Sequence, residues 1–129
     1  MTEIVKFAGR VGHDEMARIY KNHDLLVFTS TRPEGLPLVM AEAMVAGCAV
    51  VTTGSGGAQE IADLGHLPVF PKGDSQALAN LLEQLAVDPD RLREIADRGQ
   101  AAALRELTLE GMIGNWEQTL SRLVRPRSC

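Results

Sequence analysis

Thr31 to Gly47 reads TRPEGLPLVMAEAMVAG. Pro37 suits the start of a helix, where its missing N–H costs nothing, and Gly47 suits the end of one. Between them Val39, Met40, Ala43 and Met44 form one apolar stripe, yet Leu38, Ala41, Val45 and Ala46 are apolar as well. A helix apolar on every side is expected to be buried on every side. It lies between two runs with no polar alternation, LLVFTS (Leu25 to Ser30) and AVVTT (Ala49 to Thr53). Unbroken apolar strands joined by a helix indicate a parallel sheet covered on both faces.

Two carboxylates stand out against this background. Glu42 has Leu38, Val39, Val45 and Ala46 as its helical neighbours, so its charge needs either a partner or a polar cavity. A carboxylate bonded only to protein groups would satisfy the same need. Glu34 precedes the helix, beside its free N–H groups, with Gly35 leaving those amides open to close approach. Such a helix end favours an anion such as phosphate, and it equally favours an acid that merely meets the dipole. If the segment between the glutamates is mostly helical, they stand roughly 12 Å apart at about 1.5 Å per residue. A diphosphate with a sugar at either end has about that reach.

The alternation continues along the chain. IVKF (Ile4 to Phe7) reads as a first strand, and DEMARIYKN as an amphipathic helix with Met16, Ile19 and Tyr20 inward. GSGGAQEIAD is a glycine turn entering a short helix, and LPVF (Leu67 to Phe70) is a fourth strand. Gly56-Gly57 is read first as that turn, with ligand contact second. Asp74 or Ser75 caps a helix carrying Leu78, Leu81, Leu82 and Leu85. Asp88-Pro89 opens a long helix to about Glu106, and Thr108 caps a last one. That last helix places Leu109, Met112, Ile113, Trp116, Leu120 and Leu123 on one side, as core or as cover for a further domain. The fold class is therefore α/β, a three-layer Rossmann-like parallel sheet with helices on both faces. Ligands of such sheets bind at the carboxyl ends of the strands. The loops at Ala8–His13, Thr29–Leu36 and Thr53–Gly57 are the places to look.

Composition bounds the alternatives. The 129 residues form a single domain, 45% hydrophobic and 23% charged, which is ordinary for a globular protein. The net charge of -4 offers no footprint for nucleic acid. Cys48 and Cys129 have neither metal-ligand spacing nor a disulfide framework, and His23 and His66 show no partner pattern. No metal site and a reduced, cytoplasmic setting are expected. The longest apolar region, Leu36 to Val51, is interrupted by Glu42 and Gly47 and is too short to span a bilayer.

Glu34-Gly35-Leu36-Pro37, Glu42-Ala43-Met44, Gly47 and Val50-Val51 together resemble the Glu-x(7)-Glu signature of family 4 retaining glycosyltransferases. FAGRV, HDLLVFTS, AVVTT, Gly56-Gly57 and Glu60 extend the likeness from about Val5 to Leu123. The resemblance implies the GT-B architecture of two Rossmann-like domains, with this chain as the C-terminal, donor-binding portion. It implies that Glu34 bonds the hydroxyls of the donor sugar and that the Gly35 and Leu36 amides support the sugar or diphosphate. Glu42 would hold the ribose hydroxyls, and the loop at Gly9, Arg10 and Val11 would lie against the base. The family needs no metal or other cofactor for catalysis, and its substrate is a nucleotide-diphosphate sugar.

Two departures qualify the likeness. Ala49 stands where the family usually has proline. The Arg and Lys that clamp the diphosphate in the family lie well upstream of the motif, and Arg10 is too near Glu34 and lacks the following lysine to replace them. The resemblance thus implies that the clamp and the acceptor-binding N-terminal domain are missing. These residues alone are expected to be inactive as a transferase. A membrane association of the parent enzyme would reside in the absent domain, and apolar surface left by that domain leaves room for self-association. The alternative is a non-catalytic nucleotide-binding or scaffolding module of the same fold. A phosphoacceptor receiver is set aside because no strand ends in Asp, and a sugar-nucleotide epimerase fits the glutamate spacing less well.

Overall fold

A computed structural model describes residues 4–124 of the chain. Cys129 lies outside these residues. The elements run α1 (His13–Lys21), β1 (Leu25–Phe28), α2 (Leu38–Val45), β2 (Ala49–Thr52), α3 (Gly57–Gly65), α4 (Ser75–Ala86), α5 (Pro89–Glu106) and α6 (Leu109–Leu123). The architecture is α/β, with β1 and β2 paired in parallel and in register from Leu25↔Ala49 to Phe28↔Thr52. Successive strand residues point to opposite faces. Ala49, Val50, Val51 and Thr52 are all 0% exposed, so both faces of β2 are covered. Met40 and Met44 of α2, Ile61 of α3 and Ile95 of α5 belong to the cluster around it.

Local chemistry sets the helix ends. The Asp74, Asp88 and Thr108 side chains accept from the amides of Ala77, Arg91 and Gly111 at 2.9, 3.0 and 3.0 Å, capping α4, α5 and α6. The end of α2 is closed by Gly47 at φ +82, with Gly47 N–H donating to Met44 O and Cys48 N–H to Ala43 O. This turn drops the chain directly into β2.

Three expectations change. The segment Ile4–Phe7 joins no ladder among the described residues, and Ile4 and Phe7 are 88% and 94% exposed. Four residues that meet no second strand and bury no face do not recover the entropy of ordering. The fourth strand is reduced to one parallel bridge, Thr52↔Val69, on the far edge of β2. Thr52 N–H donates to Pro68 O and Phe70 N–H to Thr52 O, but Pro68 and Pro71 have no N–H with which to extend the pairing. Finally, the apolar stripe of α6 is not core: no residue of this helix is buried, and Trp116 is 60% exposed. The helix packs chiefly at its junction with α5, and its stripe is left largely exposed. No helix among the described residues is long and apolar enough to cross a membrane.

Tyr20 joins α1 to α2. It is the one buried residue of α1, and its hydroxyl donates to Glu42 Oε2 at 3.3 Å. Burial first, and the neighbouring Glu42 carboxylate second, push its pKa from 10.0 up to about 12. The folded state therefore favours the neutral phenol. That contribution is fully present below pH 10.0 and is lost as the pH rises through about 12. Folding stability, followed by denaturant titration at stepped pH, is expected to decline across this window, and Tyr20→Phe is expected to remove that part of the decline.

Gly57 supplies a steric test. A Cβ at this position would overlap the Gly35 carbonyl oxygen, a backbone atom that cannot swing aside. Gly57→Ala is expected to destabilise the fold by about 2–3 kcal/mol, the cost of overpacking against unyielding atoms. Gly12→Ala, whose Cβ meets nothing within 4 Å, is the control and should change the denaturation midpoint little.

Candidate functional site

The loop after β1 carries Glu34, Gly35 and Leu36, and it is held by the loop after β2. Gly57 N–H donates to Glu34 O at 2.8 Å, and Glu34 forms a parallel bridge with Gly56. Gly56 has φ +64, and a Cβ there would stand 2.5 Å from Glu34 O. The Thr53 hydroxyl donates to Ser30 O at 2.6 Å, tying the start of the same loop to the end of β2. Gly56-Gly57 is thus the packing turn that the sequence suggests first, and it seats the Glu-Gly loop at the carboxyl end of the sheet.

On that seat Glu34 is exposed, and its Oε1 accepts from the Ser30 hydroxyl at 2.8 Å. Gly35 is open: a Cβ would meet nothing within 4 Å. Among the described residues, the Gly35 and Leu36 amides donate to no protein group. Pro37 precedes the first turn of α2, with Met40 N–H donating back to its carbonyl at 3.0 Å. The chain thus presents two unspent backbone donors between Glu34 and the N-terminus of a helix, the arrangement that binds anions.

Glu42 lies further along α2 and is half-buried, with Tyr20 as its hydrogen-bond partner. The requirement for a partner is met by a phenol on α1. Glu42 also lines a largely apolar groove of about 650 Å³ between α1 and α2, with His13, Met16, Leu38, Ala41 and Val45. The helix is not buried on every side as its composition suggests: Leu38 is 63% and Val45 44% exposed, next to this groove. Helix begins only at Leu38, so the rise of about 1.5 Å per residue applies to half of the interval between the glutamates. Residues 34–37 lie outside the helix and place Glu34 by the contacts with Gly56 and Gly57 instead.

Gly9, Arg10 and Val11 form the turn before α1, with Gly9 at φ +69. Gly9 and Arg10 are exposed and Val11 half-exposed, and none of the three lines the groove, whose wall on that side begins with His13. Glu34 does not line it either. Two partners were missed by sequence reasoning, Tyr20 for Glu42 and Ser30 for Glu34. Tyr20 was legible in principle, because a buried phenol needs a hydrogen-bond partner and Glu42 is the acid of the adjoining apolar helix. Among the described residues no group of three or more His, Cys, Asp or Glu is placed to hold a metal ion.

Comparison with solved structures places this geometry among known proteins. HepE of Anabaena, solved with UDP-glucose, is 32% identical with a TM-score of 0.79, over 92% of this chain and 32% of that one. Sucrose-phosphate synthase of Thermosynechococcus elongatus is 26% identical with a TM-score of 0.80, over 94% of this chain and 30% of that one. The C-terminal domain of LpcC, a glycosyl transferase group 1 family protein of Francisella tularensis, is 27% identical with a TM-score of 0.69, over 80% of this chain and 53% of that one. The chain therefore spans about a third of the length of HepE and of the synthase. No match is found among curated proteins. The family described as glycosyl transferases group 1 matches residues 2–102. With a parallel α/β sheet of GT-B type and a family match over most of its length, the chain belongs to the glycosyl transferases group 1 family.

Proposed function

We propose that the chain is the donor-binding portion of a longer glycosyltransferase that takes a nucleoside-diphosphate sugar and transfers its hexosyl group with retention, as family 4 enzymes do. The observation that carries this reading is the pair of unspent amides at Gly35 and Leu36, between Glu34 and the N-terminus of α2, the helix that carries Glu42. In this reading the amides and the helix end offset the charge of the diphosphate. Glu34 accepts from hydroxyls of the sugar, Glu42 accepts from the ribose, and Gly9 to Val11 lie against the base. The reaction needs no metal from this portion. The acceptor attacks from the face that the diphosphate leaves, so the protein groups orient the donor and stabilise developing charge. The acceptor and any membrane contact belong to the rest of the parent enzyme. HepE has been solved with UDP and with UDP-glucose, which makes these the first ligands to test.

A second reading has one observation in its favour. Glu42 already has a protein partner in Tyr20, as a purely structural carboxylate would. In a non-catalytic scaffolding module Glu42 would stabilise the α1–α2 contact and nothing else.

Calorimetric titration separates the two. The wild-type chain and Glu42→Ala are titrated with UDP, UDP-glucose, GDP and ADP. The donor-binding reading expects binding selective for one base and at least tenfold weaker in the variant, about 1.4 kcal/mol. Nucleotide affinity untouched by the substitution, with a lowered denaturation midpoint, would favour the scaffold. For these 129 residues alone we also expect no transferase turnover, since every group assigned above binds donor and none binds acceptor. Sugar transfer by the pure chain, measured with UDP-glucose and a panel of sugar acceptors, would refute that expectation.

A further inference from the structure

We propose that Tyr20 is a positioning residue for the donor site, orienting the Glu42 carboxylate so that the site distinguishes a ribose from a 2′,3′-dideoxyribose. The inference rests on the reading of Glu42 as the ribose acceptor and adds to it the group that makes the acceptor specific.

Tyr20 is 5% exposed and belongs to the core cluster, so its ring is fixed by packing rather than by the bond it makes. Its hydroxyl donates to Glu42 Oε2, and among the described residues it is the one side chain that bonds this carboxylate. At 3.3 Å the bond is longer than the usual O–H···O distance of about 2.7–2.8 Å, so it biases the carboxylate toward one orientation and leaves room for it to tighten when a ligand binds. Orientation is what Glu42 otherwise lacks. Its helical neighbours Leu38 and Val45 are apolar and partly exposed, and they offer the carboxylate no hydrogen bond. Oε1 accepts from no side chain among the described residues, and Glu42 lines the groove.

The phenol is neutral up to and beyond the ordinary tyrosine range, so its hydroxyl is available to donate to Glu42. A ribose hydroxyl then meets an acceptor already in place, and the ligand need not order a flexible side chain. A 2′,3′-dideoxynucleotide lacks that hydroxyl and gains nothing from the arrangement. Loss of the phenol hydroxyl should therefore weaken ribonucleotide binding and leave dideoxynucleotide binding unchanged.

The test is the ratio of affinities for UDP and 2′,3′-dideoxy-UDP, measured on the wild-type chain, Tyr20→Phe and Glu42→Ala. Tyr20→Phe keeps the ring that fills the α1–α2 contact. The expected result is a wild-type preference for UDP that disappears in Glu42→Ala and falls at least fivefold in Tyr20→Phe, with dideoxy-UDP affinity unchanged. A Tyr20→Phe ratio equal to wild type, or equal losses for both ligands, overturns the role of Tyr20 alone. Absent UDP binding or preference in the wild type, or a preference retained in Glu42→Ala, overturns the ribose role of Glu42 beneath it. A second measurement needs no substitution at position 20. Tyr20 is the chain's single tyrosine, so its ring resonances are unambiguous. They should shift on saturation with UDP and hold still with dideoxy-UDP; resonances unmoved at saturating UDP count against the proposal.

Discussion

The candidate site depends on a contact between two backbones. The loop after β1 and the start of α3 come so close that neither Gly56 nor Gly57 can carry a side chain, because Glu34 and Gly35 backbone atoms occupy the space. The hydrogen bond from Gly57 N–H to Glu34 O then fixes the height of the Glu-Gly loop above the sheet. The contact uses the carbonyls of residues 34 and 35 and leaves the amides of 35 and 36 unspent. A loop held by side chains would spend its own polar groups on the holding. Here glycine does the holding, and the donors stay available.

The two glutamates have opposite surroundings. Glu34 is exposed and bonded to Ser30, four residues earlier in the same loop, so water competes for its charge and the bond contributes little to the fold. Glu42 is half-buried and bonded to a residue 22 positions away on a different helix. The first carboxylate is free to follow a ligand. The second is biased by the Tyr20 hydroxyl before any ligand arrives. A donor recognised by both would be fixed at one end by a preset acceptor and at the other by one that adapts.

The local features of this arrangement were legible in the sequence. Asp74, Asp88-Pro89 and Thr108 cap helices where their side chains indicate, and the continuous apolar runs at 25–28 and 49–52 pair in parallel. Gly47 ends α2 with the left-handed turn that only glycine adopts cheaply. What escaped is decided at a distance. IVKF has strand composition, but composition does not supply a neighbouring strand. The stripe on α6 has core periodicity, but periodicity does not supply a surface to pack against. LPVF stops at one bridge because of the prolines on both sides of its contact, a limit visible in the letters and outweighed in the reading by the apolar residues. The Tyr20–Glu42 bond joins two helices whose sequence patterns are independent of each other.

The composition of α2 follows from what it must do on both sides. Met40, Ala43 and Met44 are fully buried, which accounts for one face. The opposite face keeps Leu38 and Val45 partly exposed, where a surface helix would carry charge. Those residues surround Glu42 on the groove between α1 and α2. Apolar walls offer the carboxylate no competing hydrogen bond, so the Tyr20 hydroxyl is its one side-chain partner among the described residues. Polar residues in their place would hydrate the groove and offer a ligand hydroxyl many weak acceptors instead of one strong one. Ligand pockets in general combine apolar walls with a few placed polar groups. The single acid in a helix of leucine, valine, methionine and alanine has that character: one polar group among apolar neighbours, with a phenol as its partner.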